Sequence, residues 1–302
     1  MNQPGRPLVI GLGEVLWDVF PDSRRPGGAP ANVAFQASQL GCQGIVCSRV
    51  GRDPLGRELL DFLAAQSMTT EYIQQDPAHP TGTVTVDTSD PARPRFLIHE
   101  NVAWDYLEFD DAWQSLARKA AAICFGTLAQ RGPVSRQTIY RVLQAAAPNC
   151  LIVYDVNLRQ HWYQRQWVEH SLAAARWAKL NAEEAGELAR LLELGWRDEA
   201  TFARSLQERY GLQAVCITRA DQGAILVSGP TVVDRPGERV EVVDTVGAGD
   251  AFTAAWIAAG LWHWPPAAQV AFANRVGALV ATRPGAMPIL HDEFARLSKE
   301  YP

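Results

Sequence analysis

The chain has 302 residues, 47% of them hydrophobic and 20% charged, with 23 Gly, 19 Pro and 5 Cys. That is ordinary globular composition, which excludes collagen-like, low-complexity and disordered chains and suits one large α/β domain or two small ones. The formal charge of −5 excludes a broadly basic nucleic-acid binder.

Taken in chain order, short apolar runs alternate with longer helical patterns. Leu8 to Gly13 reads as a buried strand, and a helix follows over about Ala31 to Leu40. Gly44 to Val50 is a second strand, and Pro54 to Gln66 has helical spacing with proline suited to a first turn. Val15 to Phe20, Thr81 to Asp87 and Arg95 to His99 break the alternation. The last two read as a half-exposed antiparallel pair around a Pro-rich turn, and with the first they predict a small separate sheet or an edge hairpin. Ala121 to Phe125, Leu151 to Tyr154, Trp177 to Leu180 and Ala214 to Thr218 are further strands. Helices are expected over Val134 to Ala146 and over Glu183 to Leu194, the latter stopped by Gly195. After a hairpin-like Gly223 to Asp234 come two apolar helices, Ala248 to Leu261 and Pro266 to Ala281. Strands separated by helices predict an α/β fold with a mainly parallel sheet covered on both faces.

Cys42, Cys47, Cys124, Cys150 and Cys216 are scattered through apolar segments with no Cys-x-x-Cys pair, which reads as reduced core thiols of a cytoplasmic protein. No His-x-x-x-His spacing occurs, so a zinc site is not expected. No signal peptide is expected, and no apolar run reaches the ~18 residues of a membrane helix. Only three lysines are present, Lys119, Lys179 and Lys299, and none follows a glycine. A P-loop ending Gly-Lys-Ser/Thr is therefore excluded, and phosphate chemistry would need another device.

Asp244-Thr245-Val246-Gly247-Ala248-Gly249-Asp250 supplies one. Small residues open a long apolar helix there, so backbone N–H groups at Gly247, Ala248 and Gly249 can approach an anion. Asp250, in that first turn, is expected to be ionised because a helix N-terminus favours its charged form. A carboxylate beside an anion hole can deprotonate a hydroxyl that attacks a phosphoryl group. The same letters equally suit a capped helix with packing glycines. The second segment, Gly27-Gly28-Ala29-Pro30-Ala31-Asn32, exposes backbone before another helix, and Asn32 offers donor and acceptor to sugar hydroxyls. Alone it also suits a plain Gly/Pro turn. Gly11-x-Gly13 lacks the third glycine of a dinucleotide fingerprint, because Leu16 stands in its place.

Together, in this order and near opposite ends of the chain, the two segments resemble the ribokinase-like sugar kinases, the phosphofructokinase-B type family. The resemblance covers essentially the whole chain and implies a single ribokinase-like domain over 1–302, with a small β-sheet lid from about 14–30 and 81–108. It implies that Asp250 is the general base and that Asp18, Gly28 and Asn32 bind sugar. Asp155-Val156-Asn157-Leu158-Arg159 resembles a substrate-facing segment, placing Arg159 on the sugar or the transferred phosphate; from the residues alone Arg159 equally suits an ion pair with Asp155. Glu100 to Asp105 follows the second lid strand and could place Asn101 or Trp104 over the sugar.

On the nucleotide side the resemblance assigns Asn181, Thr218, Gly223 and Asn274, with Ala220 standing where the family usually has glycine. Glu184 is implied in holding Mg²⁺ through water, and Asp244 in a monovalent-cation (K⁺) site; Glu184 also suits an exposed helix charge. Gly13-Glu14-Val15-Leu16-Trp17-Asp18 and Ala29, where ribokinases usually carry lysine, look most like the fructokinase branch. A carboxylate at Asp18 would repel an acid sugar and so points to a neutral one. The expected partners are MgATP and a small neutral sugar, most specifically D-fructose. Another ketose, ribose, a nucleoside or 2-keto-3-deoxygluconate are the alternative acceptors, and a catalytically silent sugar or nucleotide sensor is the alternative class. Neither nucleic acid nor membrane is an expected partner. A homodimer through the lid is implied by the resemblance and by the unpaired edge such a flap exposes.

Overall fold

The computed structural model describes residues 5–87 and 95–302. The Pro-rich turn between the lid strands, and part of the 81–108 lid span, lie outside them, as do residues 1–4, on which the signal-peptide expectation partly rests. Five strands continue one another along the N-terminal half of a central sheet: β1 (Leu8–Leu12), β4 (Gln43–Gly51), β5 (Ile73–Asp76), β8 (Ala122–Phe125) and β9 (Leu151–Asp155). The other half is made by β10 (Trp177–Asn181), β11 (Ala214–Thr218) and the hairpin β12 (Ala224–Ser228) and β13 (Thr231–Arg235). Their order is β13-β12-β11-β10-β9-β8-β1-β4-β5, parallel except at β11-β12 and β12-β13. β1 is paired with β4 on one side and β8 on the other. Strand order reverses between β1 and β8, and crevices outside the carboxyl ends of such strands are where open α/β sheets bind ligands.

Helices cover both faces because the central strands are mostly apolar on both. One face carries α3 (Asp111–Lys119), α4 (Pro133–Ala145), α5 (Arg165–Ala174), α6 (Ala182–Leu191) and α7 (Glu199–Tyr210), packed on Ile10, Leu12, Phe125, Tyr154 and Leu180. The other carries α1 (Ala29–Gln39), α8 (Ala248–Leu261), α9 (Pro266–Ala281) and α10 (His291–Leu297), packed on Val9, Cys124, Val153 and Cys216. α8 is buried along nearly its whole length from Ala251 to Ala259. That explains its uniformly apolar sequence, since a helix with no solvent face needs no polar stripe. α2 (Pro54–Ala65) packs at the β4-β5 end around Leu59 and Leu63.

The separate sheet is β3-β2-β6-β7, from β2 (Leu16–Val19), β3 (Arg24–Gly27), β6 (Thr83–Asp87) and β7 (Arg95–Ile98). The β6-β7 antiparallel pair is as expected, with Val84 and Val86 buried and Thr85 exposed. β3 and β5 carry no strand pattern in the sequence: Arg24-Arg25-Pro26-Gly27 becomes a strand only by pairing with β2. The segment entering β6 is fastened at the first turn of α2, where Asp53 accepts hydrogen bonds from Thr81 N and Oγ1, both at 2.7 Å. One helix end differs from expectation. α6 stops at Leu191, short of Gly195, in a Schellman arrangement with Leu194 N donating to Ala189 O and Glu193 N to Arg190 O. Glu193 takes the left-handed position at φ 55°, so the αL residue that closes the helix here is a glutamate.

Candidate active site

The carboxyl ends of the parallel strands carry several of the expected site residues. Glu14 follows β1, Arg159 follows β9, Asn181 ends β10 and Thr218 ends β11. The N-terminus of α8 points into the same region from the other face. Gly247 precedes α8 at φ 78°, and a Cβ there would fall 2.6 Å from Ala286 Cα, so the turn needs glycine on both counts. Of the opening N–H groups, Ala248 donates to Thr245 O at 3.3 Å. Among the described residues, no protein acceptor meets the N–H of Gly247, Gly249 or Asp250, and unmatched first-turn N–H groups make an anion site. The expected triad of N–H donors is thus revised: Ala248 is partly engaged.

The two motifs at opposite ends of the chain are joined by a hydrogen bond. Asn32 Nδ2 donates to Asp250 Oδ2 at 2.7 Å across 218 residues of sequence. That bond fixes the amide orientation and leaves Asn32 Oδ1 buried with no protein partner. Glu14 Oε2 is likewise buried and unpartnered. Gly28, at φ 106°, lets the chain pass here, because a Cβ would stand 2.4 Å from Glu14 O. Orphaned buried acceptors beside a carboxylate suit a ligand rich in hydroxyl donors.

Charge in this cluster is strongly perturbed. Burial pushes Glu14 up to about 7, against the pull of Arg159 and with repulsion from Asp250. Burial likewise pushes Asp18 up to about 6, opposed by Arg159 and Arg25 and assisted by Asp250 and Asp244. Asp250 was expected to be held in its ionised form by the helix end. The structure reverses the direction: enclosure by protein is the largest influence and repulsion from Asp155 the next, so its carboxyl is raised despite Asn32, Lys179 and Arg159. A raised aspartate is a stronger base, which suits proton abstraction. Arg159 is exposed and acts on all three carboxylates, and it makes no ion pair with Asp155. Asp155 is instead paired with Lys179.

The residues expected on the nucleotide side form two pairs. Asn181 and Thr218 are register neighbours on β10 and β11. Asn274 Nδ2, on α9, donates to Pro236 O at 3.1 Å, and Gly223 packs against Arg235 and Pro236. Ala220 adopts φ 50°, a left-handed position that explains why glycine is the usual occupant. Glu184 is not an exposed helix charge. Its Oε2 accepts from Asn181 N at 2.8 Å and its Oε1 from Leu158 N at 2.9 Å, a capping box for α6 that also holds the loop before Arg159.

Both oxygens of Glu184 are therefore occupied by backbone donors, leaving only second lone pairs for a metal-bound water. Among the described residues no group of three or more His, Cys, Asp or Glu side chains forms a metal cage. That fits Mg²⁺ carried in on nucleotide phosphates with its own waters, and does not fit a resident ion. Both oxygens of Asp244 are engaged as well, which leaves only a second lone pair for K⁺. Its Oδ2 meets Arg25 Nη1 at 2.7 Å and Gly285 N at 2.9 Å, and its Oδ1 accepts from Val246 N. The cation beside Asp244 is the Arg25 guanidinium, reaching across from the lid.

The segment after β7 places Asn101 and Trp104 differently. Asn101 lies at φ 54° in a cleft with Glu100, Asp105, Tyr106, Arg131 and Trp162, and its Oδ1 meets Tyr106 Oη at 3.5 Å; no contact joins it to Asn32 and Asp250. Trp104 is 1% exposed in the core under Arg131, 4.0 Å from its ring centre, and cannot cover a sugar. Conversely, sequence reading gave no role to Glu14, Lys179 or Arg25. Glu14 lies inside a quoted motif and Lys179 two residues before Asn181, so proximity to motifs was their only signal; Arg25 had none.

Comparison with known proteins places this chain in a family. A sequence model described as pfkB family carbohydrate kinase matches residues 12–293. A fructokinase of Klebsiella pneumoniae is 30% identical over 297 residues, 92% of this chain and 94% of that one. The crystal structure of a sugar kinase from Pyrococcus horikoshii in complex with ATP superposes with a TM-score of 0.80 at 30% identity, covering 96% of this chain and 99% of that one. The fold is shared as well with a fructokinase with bound ATP from Xylella fastidiosa, at a TM-score of 0.85, 24% identity and coverage of 97% and 98%. The chain belongs to the pfkB family of carbohydrate kinases, and it is a sugar kinase.

Proposed function

We propose that this sugar kinase transfers the γ-phosphoryl group of ATP to the primary hydroxyl of D-fructose, with Asp250 as general base. The observation that carries the reading is the 2.7 Å bond from Asn32 to Asp250, with the other end of the Asn32 amide buried and unpartnered. A sugar hydroxyl donating to Asn32 Oδ1 would be held next to the carboxylate that takes its neighbour's proton. Asp18, Glu14 and Arg159 line the remainder of the sugar side, and Gly28 gives backbone access. Three carboxylates within one another's field disfavour an acceptor with its own carboxylate. The K. pneumoniae relative named fructokinase favours fructose among neutral sugars.

In the reaction, the acceptor oxygen loses its proton to Asp250 as it attacks phosphorus in line, and the bond to the leaving ADP oxygen breaks. The unmatched N–H groups of Gly247 and Gly249 receive charge on the transferred phosphoryl. Mg²⁺ bound to the nucleotide would supply charge neutralisation on the phosphates, with Glu184 reaching it at most through water. Asn181, Thr218, Gly223 and Asn274 would hold the nucleotide. The lid sheet, joined to the Asp244 loop by Arg25, would exclude water that otherwise hydrolyses ATP. Exposed Phe96 and Leu97 on the edge strand β7 support pairing of two lids in a homodimer. Five buried free cysteines suit a reducing, cytoplasmic setting.

The test is ADP release from MgATP across fructose, other ketoses, ribose, a nucleoside and 2-keto-3-deoxygluconate, with wild type and Asp250→Asn. Fructose should give the highest kcat/KM, and Asp250→Asn should lower kcat by about 10²–10⁴-fold while sugar still binds. Near-normal turnover in that variant removes the assigned base, and preference for another acceptor removes fructose.

A further inference from the structure

Directly behind the turn that opens α8 lies a buried ion pair with no role in the reading above. Lys179, on β10, places Nζ 3.1 and 3.3 Å from the two carboxylate oxygens of Asp155, at the end of β9. The two side chains are 8% and 4% exposed. Thr253, one helical turn after Gly249 on α8, donates to Asp155 Oδ2 at 2.7 Å. The pair therefore ties two strand ends to the helix that carries Asp250. A Cβ built on Gly249 would lie 3.3 Å from Lys179 Nζ, and no other atom beyond the turn itself comes within 4 Å of it. The ammonium thus lies against the turn at Gly249, nearer to it than the carboxylate.

Desolvating two charges costs several kcal/mol each, so a buried pair is weak evidence for stability and apolar residues often do as well. What apolar residues cannot supply is charge at that position. We propose that Lys179 is a positioning residue of phosphoryl transfer, its ammonium fixed by Asp155 so that it braces the Gly247–Gly249 turn and places permanent positive charge behind the N–H groups facing the phosphoryl. The inference rests on reading that turn as the anion site and Asp250 as the base. It gives a cation behind the turn to a protein whose sequence has no P-loop lysine. No bond or proton changes at Lys179; it acts through the turn.

The pair also biases Asp250, whose other neighbours are Asn32, Arg159, Glu14, Asp18 and the Cys124 thiol. Asp155 raises the Asp250 carboxyl more than Lys179 lowers it. Removing the lysine alone should therefore move the base upward in pH, and removing both partners should move it downward. No purely structural role predicts opposite signs.

The experiment measures kcat, sugar KM and the pH profile of kcat with MgATP and fructose, for wild type, Lys179→Met and Lys179→Met/Asp155→Asn. Both variants should lose about tenfold or more in kcat, with KM nearly unchanged. The acid limb should shift to higher pH in the single variant and to lower pH in the double one. If the single variant does not fold, as judged by thermal melting, the double variant decides, since it buries no unpaired charge. A folded double variant with kcat within about twofold of wild type, or with an unshifted acid limb, overturns the proposal. Asp250→Asn separates the two readings: if it retains turnover, the base assignment has failed; if it is inactive while the double variant is normal, only the role of Lys179 has.

Discussion

Glu14 offers a test of the site's electrostatics that needs no substrate. Its side chain is 2% exposed, and burial raises its carboxyl from an ordinary 4.5 to about 7. The unfolded chain gives up this proton near 4.5, and the folded chain keeps it until about pH 7. Below both values the group contributes nothing to the pH dependence of stability. As pH rises between them, the unfolded state is increasingly favoured, and above the folded value the penalty is constant. A gap of about 2.5 pH units at about 1.4 kcal/mol each gives about 3–4 kcal/mol. Glu14→Gln removes the ionisation, so its stability relative to wild type should climb by that amount between about pH 4 and pH 8. The amide that replaces the unpartnered Oε2 adds a pH-independent offset, so the slope carries the information. Urea unfolding of both proteins across this range, with matched m values, measures it. A stability difference that stays flat with pH would refute the argument, because it would mean that Glu14 ionises equally easily folded and unfolded.

Two further expectations come from the lid and its entry. Gly28→Ala forces a non-glycine residue to φ 106° and drives a Cβ to 2.4 Å from Glu14 O. It should cost about 1–3 kcal/mol in urea unfolding and raise the sugar KM, and a variant of wild-type stability and KM would show that the segment relaxes freely. Leu97, 59% exposed on β7, should lie in the lid contact between two copies. Sedimentation should find wild type dimeric and Leu97→Glu monomeric, and a monomeric wild type would remove the dimer.

Much of the fold was legible because most buried parallel strands are dominated by a short apolar run and several flanking helices by a longer apolar pattern. Leu8–Leu12, Ala122–Phe125 and Ala214–Thr218 needed no partner to be recognised. β3 was not legible, since Arg24 to Gly27 has no strand character of its own and is extended only through its ladder with β2. The end of α6 was misjudged because a left-handed glutamate closes the helix two residues before the glycine that attracts attention. At the site, Asp250, Asn32 and the Gly247–Gly249 turn were readable as local chemistry at a helix start.

Residue type and spacing alone specify a set of parts: a glycine turn suited to an anion, a carboxylate in it, an amide motif far upstream, and no P-loop lysine. These follow from residue type and short-range spacing, which the backbone obeys wherever the segment finally sits. Tertiary structure decided how the parts act on one another. It brought Asn32 within 2.7 Å of Asp250, paired Asp244 with Arg25, and put Lys179 behind the turn against Asp155. It also reversed the expected shift of Asp250, because a helix end acts within one turn, whereas desolvation and the field of Asp155 depend on everything folded around it. Scarcity of lysine excluded one phosphate-binding device; only the fold showed where one of the three lysines is used.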